Sequence, residues 1–153
     1  MRRINKFELK PVALVDSNII VYAMVKDYSD NRLHQKCLEF IEKGLRGKLD
    51  CTLALDPIII AETFSVLRKT LDCNDAEFRV NTLLRSDRIN FLSTSKEACQ
   101  NAVRWANEKN VPVNDAMIAA DALEYSAPVY TMDEEHFKRL EKYGIRMINP
   151  AKT

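Results

Sequence analysis

The chain is 153 residues long, with 46% hydrophobic and 29% charged residues, a composition that fits one folded domain and excludes a disordered tract. Its 23 Lys+Arg against 22 Asp+Glu leave a net charge of +1, which gives no bulk electrostatic argument for nucleic acid or for an acidic substrate. No apolar run approaches the ~18–20 residues of a membrane span.

Residues 1–11 read as a short arm. Arg2, Arg3, Lys6 and Lys10 against Glu8 make its first ten residues +3, the pattern of a solubilising tail. Met1-Arg2-Arg3 leads into Asn5, Lys6 and Glu8 instead of an apolar stretch, so no secretion signal is expected and the expected location is cytoplasmic. Residues 12–15 are a first β-type run, followed by a helical stretch at 19–25. Residues 33–44 are helical, with Leu33, Cys37, Phe40 and Ile41 at helix spacing and Gly44 as the terminating glycine. An extended run follows at 49–55. Asp56-Pro57 then has the form of an N-cap followed by proline in the first helical position, opening a helix to about residue 70. Asn74 or Asp75 starts another helix to about 86, and 88–92 is strand-like. Thr94 or Ser95 caps a helix to about 109, with Glu97 placed for a capping box. Asn114 opens a helix through 125. A strand at 128–132, a helix at 133–143 and a strand at 145–148 complete the order, leaving 150–153 as a tail.

Strands alternating with helices require right-handed crossovers and a parallel sheet covered on both faces. The expected fold class is therefore α/β, a single three-layer sandwich over residues 12–149. Cys37, Cys51, Cys73 and Cys99 contain no C-x-x-C pair and are expected as free thiols. Three glycines exclude a glycine-rich phosphate loop. His34 and His136 are read as surface or capping residues, not as general bases. An enzyme with this composition works with carboxylates.

In an open parallel sheet, ligands bind beyond the carboxyl ends of the strands. Asp16 follows the first strand and Asp133 the strand at 128–132, while Asp115 opens a helix whose N-terminus faces the same edge. Glu62 lies in Ile58-Ile59-Ile60-Ala61-Glu62-Thr63-Phe64, a segment apolar almost all round, where a carboxylate is costly to bury unless paired or bound to a cation. Each acid alone has an ordinary alternative. Asp16 and Asp115 can cap helices, Asp133 with Glu134 and Glu135 can complement a helix dipole, and Glu62, Ser65 and Lys69 can form a solvated stripe. Taken together, four acids on separate elements point to one rim. All-oxygen ligands suit Mg²⁺ or Mn²⁺, and two such ions can promote in-line phosphoryl displacement.

The segments VDSNIIVYA at 15–23, IIIAETFSVL at 58–67, VNDAMIAADAL at 113–123 and TMDEEHF at 131–137 resemble, in that order, the PIN-domain ribonucleases, above all the toxins of VapBC toxin–antitoxin systems. The resemblance covers residues 12–149 and implies a PIN-like sandwich. It implies Asp16, Glu62, Asp115 and Asp133 as catalytic metal ligands, with Asn18, Thr131 and, more weakly, Ser17 as supporting polar groups. Asp121 has no role in the pattern and, about 240° around the helix from Asp115, is read as a surface acid. The resemblance further implies Mg²⁺- or Mn²⁺-dependent hydrolysis of RNA by a metal-activated water, leaving a 5′-phosphate and a 3′-hydroxyl. It also implies a small antitoxin partner and a homodimer. The alternatives are a non-catalytic PIN-like module that binds RNA or protein, and a housekeeping RNA-processing nuclease. Arg68, Lys69, Arg85 and Arg88 are candidate phosphate contacts or ordinary solvated charges.

Overall fold

A computed structural model describes residues 10–152, so most of the basic arm lies outside the described residues. The elements are β1 (Val12–Val15), α1 (Ser17–Met24), α2 (Asn31–Leu45), β2 (Thr52–Leu55), α3 (Pro57–Thr70), α4 (Cys73–Arg85), β3 (Ile89–Phe91), α5 (Lys96–Lys109), α6 (Val113–Glu124), β4 (Val129–Tyr130), α7 (Glu134–Lys138) and β5 (Met147–Ile148), with 3₁₀ turns at Glu141–Tyr143 and Pro150–Lys152. All strand pairs are parallel, in the order β3-β2-β1-β4-β5. The expected α/β sandwich is what forms.

The order has one consequence for function. The chain moves outward from β1 through β2 to β3, then returns to lay β4 on the other side of β1. The crossovers therefore leave the sheet in opposite senses at β1 and β4, and a crevice opens beyond their carboxyl ends. Leu14, Val15, Leu53 and Val129 are buried beneath it. Branched aliphatic residues suit strands covered on both faces.

Helix starts follow their side chains. Asp56 accepts from the Ile59 amide at 2.8 Å ahead of Pro57, as the sequence predicts. Ser95 caps α5 by accepting from Ala98 at 3.0 Å. Glu97 thus falls one position short of a capping box, and the Thr94 hydroxyl is used elsewhere. The α4 helix begins before Asn74, because Asp72 is the cap. The expected helix at 133–143 breaks after Lys138 into a short 3₁₀ turn, and Gly144 at φ 97° ends it.

Gly44 does not terminate α2. It lies buried inside the helix, where an added Cβ would stand 2.2 Å from Leu53 Cδ1. Here glycine is required by close approach of helix to sheet, and Gly47 at φ 69° turns the chain instead. Lys10 donates to the Gly47 and Leu49 carbonyls at 3.0 and 2.7 Å, so the last part of the arm is fastened to this turn. Pro150 is buried and its 3₁₀ turn packs on α2. No helix among the described residues is long and apolar enough to cross a membrane. The four cysteines are free, with Cys37 buried and Cys73 exposed.

Candidate metal centre

The crevice is walled by carboxylates from four elements. Asp16 ends β1 and caps α1; one of its oxygens accepts from the Ser17 amide at 2.8 Å and the other from the Thr131 hydroxyl at 2.8 Å. Thr131 follows β4 directly, so this bond crosses the β1–β4 junction. The Thr131 oxygen accepts in turn from the Asp133 amide at 2.9 Å. Asn18 reinforces the same junction by accepting from the Met132 amide at 3.3 Å and donating to Thr131 at 3.5 Å. The expected supporting residues Asn18 and Thr131 thus lie at the site, and Ser17 contributes its backbone amide.

Donor atoms of Asp16, Glu62 and Asp115 lie within 4.8 Å of one another. Asp115, Asp133 and His136 form a second such group. Asp115 belongs to both, at the start of α6. The structure therefore brings all four expected acids to one rim, with Glu62 and Asp133 on opposite flanks of Asp115.

Electrostatics shows what this crowding costs. Burial, and then the neighbouring Asp115 and Asp133 charges, push Asp16 up to about 6 against the pull of Thr131 and the Ser17 amide. Burial and the charges of Asp16 and Asp115 push Glu62 up to about 7, with a hydrogen bond from Asn114 opposing them. Asp115 is raised by burial, while His136 pulls it down. Glu62 Oε1 is buried with no hydrogen-bond partner. An orphaned carboxylate oxygen aimed among like charges is the local chemistry that a hard divalent cation satisfies, so the donor set fits Mg²⁺ or Mn²⁺.

Two residues here were not singled out as site residues by the sequence. His136 is not merely a surface or capping residue: its Nδ1 lies 2.8 Å from Asp115 Oδ2 and 2.9 Å from Asp133 Oδ2. The available signal was its spacing, since three residues after Asp133 it shares a helix face with that acid. Asn114, expected only as a helix start, also pulls the Glu62 carboxyl down and lines a groove of about 470 Å³ beside it, with Pro57, Ile58, Ala61 and Ser65. His34 is likewise not a surface group; it is buried with Nδ1 2.7 Å from the Tyr22 carbonyl.

Asp121 needs correction as well. It is fully buried, accepting from the Thr94 hydroxyl at 2.7 Å and from the carboxyl of Asp56. The rotation of about 240° from Asp115 does not lead to solvent, because alanine-rich α6 is buried on most of its circumference against the core and α5. Arg88 lies against Gly47 at the amino-terminal edge of the sheet, the edge opposite the acids, which removes it from the candidate phosphate contacts.

The model of the PIN domain matches residues 13–143, and the chain belongs to this family. No protein of curated function matches the sequence. Among solved structures, the fold is similar to VapBC2 from Rickettsia felis bound to a DNA fragment from its promoter (TM-score 0.68, 20% identity, 90% of this chain and 98% of that one). It is similar to VapBC-1 from nontypeable Haemophilus influenzae (0.66, 21%, 91% and 98%). It also resembles Mycobacterium tuberculosis VapC20, a sarcin–ricin loop cleaving toxin (0.64, 15%, 83% and 93%). At these identities the likeness is one of fold.

Proposed function

We propose that this protein is a divalent-metal-dependent endoribonuclease and the toxin of a toxin–antitoxin pair. The observation that carries the reading is the convergence of Asp16, Glu62, Asp115 and Asp133 at the β1–β4 crevice, with the Glu62 oxygen left unpartnered. Asp16, Glu62 and Asp115 would hold Mg²⁺ or Mn²⁺ on one flank, and Asp133 extends the set on the other. When bound, such ions activate water and stabilise the leaving oxygen of a phosphodiester.

The chain's own groups do the positioning. Thr131 spends its single proton on Asp16 and accepts from Asp133 N–H, which fixes the oxygen of one acid relative to the backbone of the other. Asn18 ties α1 to the segment after β4, which joins the two chain segments that carry Asp16 and Asp133. Asn114 favours the ionised form of Glu62 beside the groove. Without cations the rim would repel a phosphodiester, so affinity for RNA should depend on metal.

A toxin role is supported by the neighbouring folds, which come from VapBC complexes. By the same support, a small antitoxin and a second copy of this chain are the expected partners, and RNA the expected substrate. The test is cleavage of single-stranded RNA by the purified protein with Mn²⁺, Mg²⁺ or chelator. Activity that needs metal, leaves 5′-phosphates and is lost in both Asp16→Asn and Asp115→Asn supports the reading. Full activity in both variants contradicts it.

A further inference from the structure

We propose that His136 is a nitrogen ligand of a divalent ion held together with Asp115 and Asp133, so that the centre has an all-oxygen flank and a mixed nitrogen–oxygen flank. The inference rests on the metal-dependent reading above and adds a donor that the four acids do not include.

Geometry is the first ground. The Nδ1 atom of His136 stands 2.8 Å from Asp115 Oδ2 and 2.9 Å from Asp133 Oδ2. Ligands at right angles around an ion, each at about 2.0–2.2 Å, stand about 3 Å apart. The two contacts thus already have the separations of neighbouring positions in one coordination shell. The donors come from two helix starts: Asp115 from the first turn of α6, and Asp133 as N-cap with His136 in the first turn of α7.

Hydrogen bonding is the second ground. A ring nitrogen carries at most one hydrogen, yet two carboxylate oxygens face this one at bonding distance. One proton cannot serve both fully, whereas a cation set between the three atoms faces all of them. The histidine side chain is 31% exposed, so water and ions reach it without any movement of the core.

The donor chemistry then sets the preference. Imidazole binds Mn²⁺, Co²⁺ or Zn²⁺ more readily than Mg²⁺, which favours oxygen and keeps its waters. The flank formed by Asp16, Glu62 and Asp115 offers oxygen alone and shows no such bias. The two flanks therefore differ in the ion they select, and transition ions bind the whole centre more tightly than Mg²⁺.

The test uses the full chain loaded with Mn²⁺ and produced with isotopically labelled histidine, read by pulsed electron paramagnetic resonance. The expected result is a directly coordinated histidine nitrogen, lost in His136→Gln while the variant keeps its circular dichroism spectrum and melting profile. His34, the other histidine, is bonded to the Tyr22 carbonyl and serves as the internal control. A companion calorimetric titration should show the variant losing Mn²⁺ affinity by about tenfold or more, with Mg²⁺ affinity much less affected. Mn²⁺ bound without histidine coupling overturns the role of His136 and leaves the metal-dependent reading standing. Coupling that survives His136→Gln also overturns it. Failure of Mn²⁺ to bind overturns both.

Discussion

Two groups of crowded carboxylates stand out in this fold, one fully buried and one half-open to solvent, and they resolve the same electrostatic problem in different ways. In one, Asp56 at the start of α3 faces Asp121 in α6, and both are fully buried. Burial and the adjacent Asp121 carboxylate hold Asp56 far above the ordinary carboxylate range. It therefore keeps its proton and donates it to Asp121, which also accepts from Thr94. A proton shared inside the core settles that pair. In the other group, Asp16, Glu62, Asp115 and Asp133 line an open crevice, the Glu62 oxygen lacks a partner, and a groove leads to it. A cation from solvent is the natural partner there. Acids alone do not mark a functional site, and neither does an oxygen without a donor, since Asp56 Oδ2 and Asp121 Oδ1 also lack one and can pair only through a shared proton; access from solvent sets the crevice apart.

The sharpest way to break this contrast is to substitute one acid from each group on the same helix. Asp115→Asn should reduce metal-dependent RNA cleavage by more than the ~10–100-fold that outer-shell changes cost at metal centres. Asp121→Asn should leave cleavage close to normal and lower the melting temperature. Equal loss of activity in both would dissolve the distinction.

A smaller effect is expected from Thr131→Val, which keeps the volume but removes the hydroxyl that binds Asp16 and accepts from Asp133 N–H. Mn²⁺ affinity, measured by calorimetry, should fall by ~10–100-fold. Outside both groups, Gly44→Val should cost about 1–3 kcal/mol or more in chemical denaturation, because the new side chain meets Leu53 and the core has no room to yield.

The last expected effect is the dependence of stability on pH. Asp56 binds its proton more tightly when folded than in the unfolded chain, where carboxyls titrate near ~4. Unfolded chains thus hold fewer protons above that pH, and stability falls as pH rises towards the folded value, by at most ~1.4 kcal/mol per pH unit for one group. Asp16 and Glu62, raised to about 6 and about 7, add slopes of the same sign in the metal-free protein. Asp56→Asn preserves the cap on α3 and can donate to Asp121 without a proton to lose. Its stability should decline less between pH 5 and 8 (about the range in which proteins are usually most stable), and Mn²⁺ should remove most of the slope that remains.

Much of this was legible in the sequence because it depends on local chemistry. The α/β order followed from periodicity, the start of α3 from Asp-Pro, and the strand-end positions of Asp16 and Asp133 from the rule for parallel sheets. What was missed depends on tertiary packing. Asp121 looked exposed because helical rotation was read against a single buried face, while α6 is enclosed on most sides. Gly44 looked like a terminator because sequence does not show how closely α2 approaches Leu53. Of the two cap candidates Ser95 is the one used, and the capping box expected with Glu97 does not form, because the Thr94 hydroxyl is taken by Asp121, 27 residues away. For His136 the sequence carries one weak signal, its i, i+3 relation to Asp133, against the ordinary surface or capping role of a lone histidine.

Divalent-cation binding by the crevice acids should run through Asp115, which belongs both to the cluster with Asp16 and Glu62 and to the cluster with Asp133 and His136. A calorimetric titration of Mn²⁺ into the wild-type chain and Asp115→Asn at neutral pH tests it most directly. Binding in the wild type that is abolished in the variant is the predicted result; no binding, or equal binding by both, contradicts it.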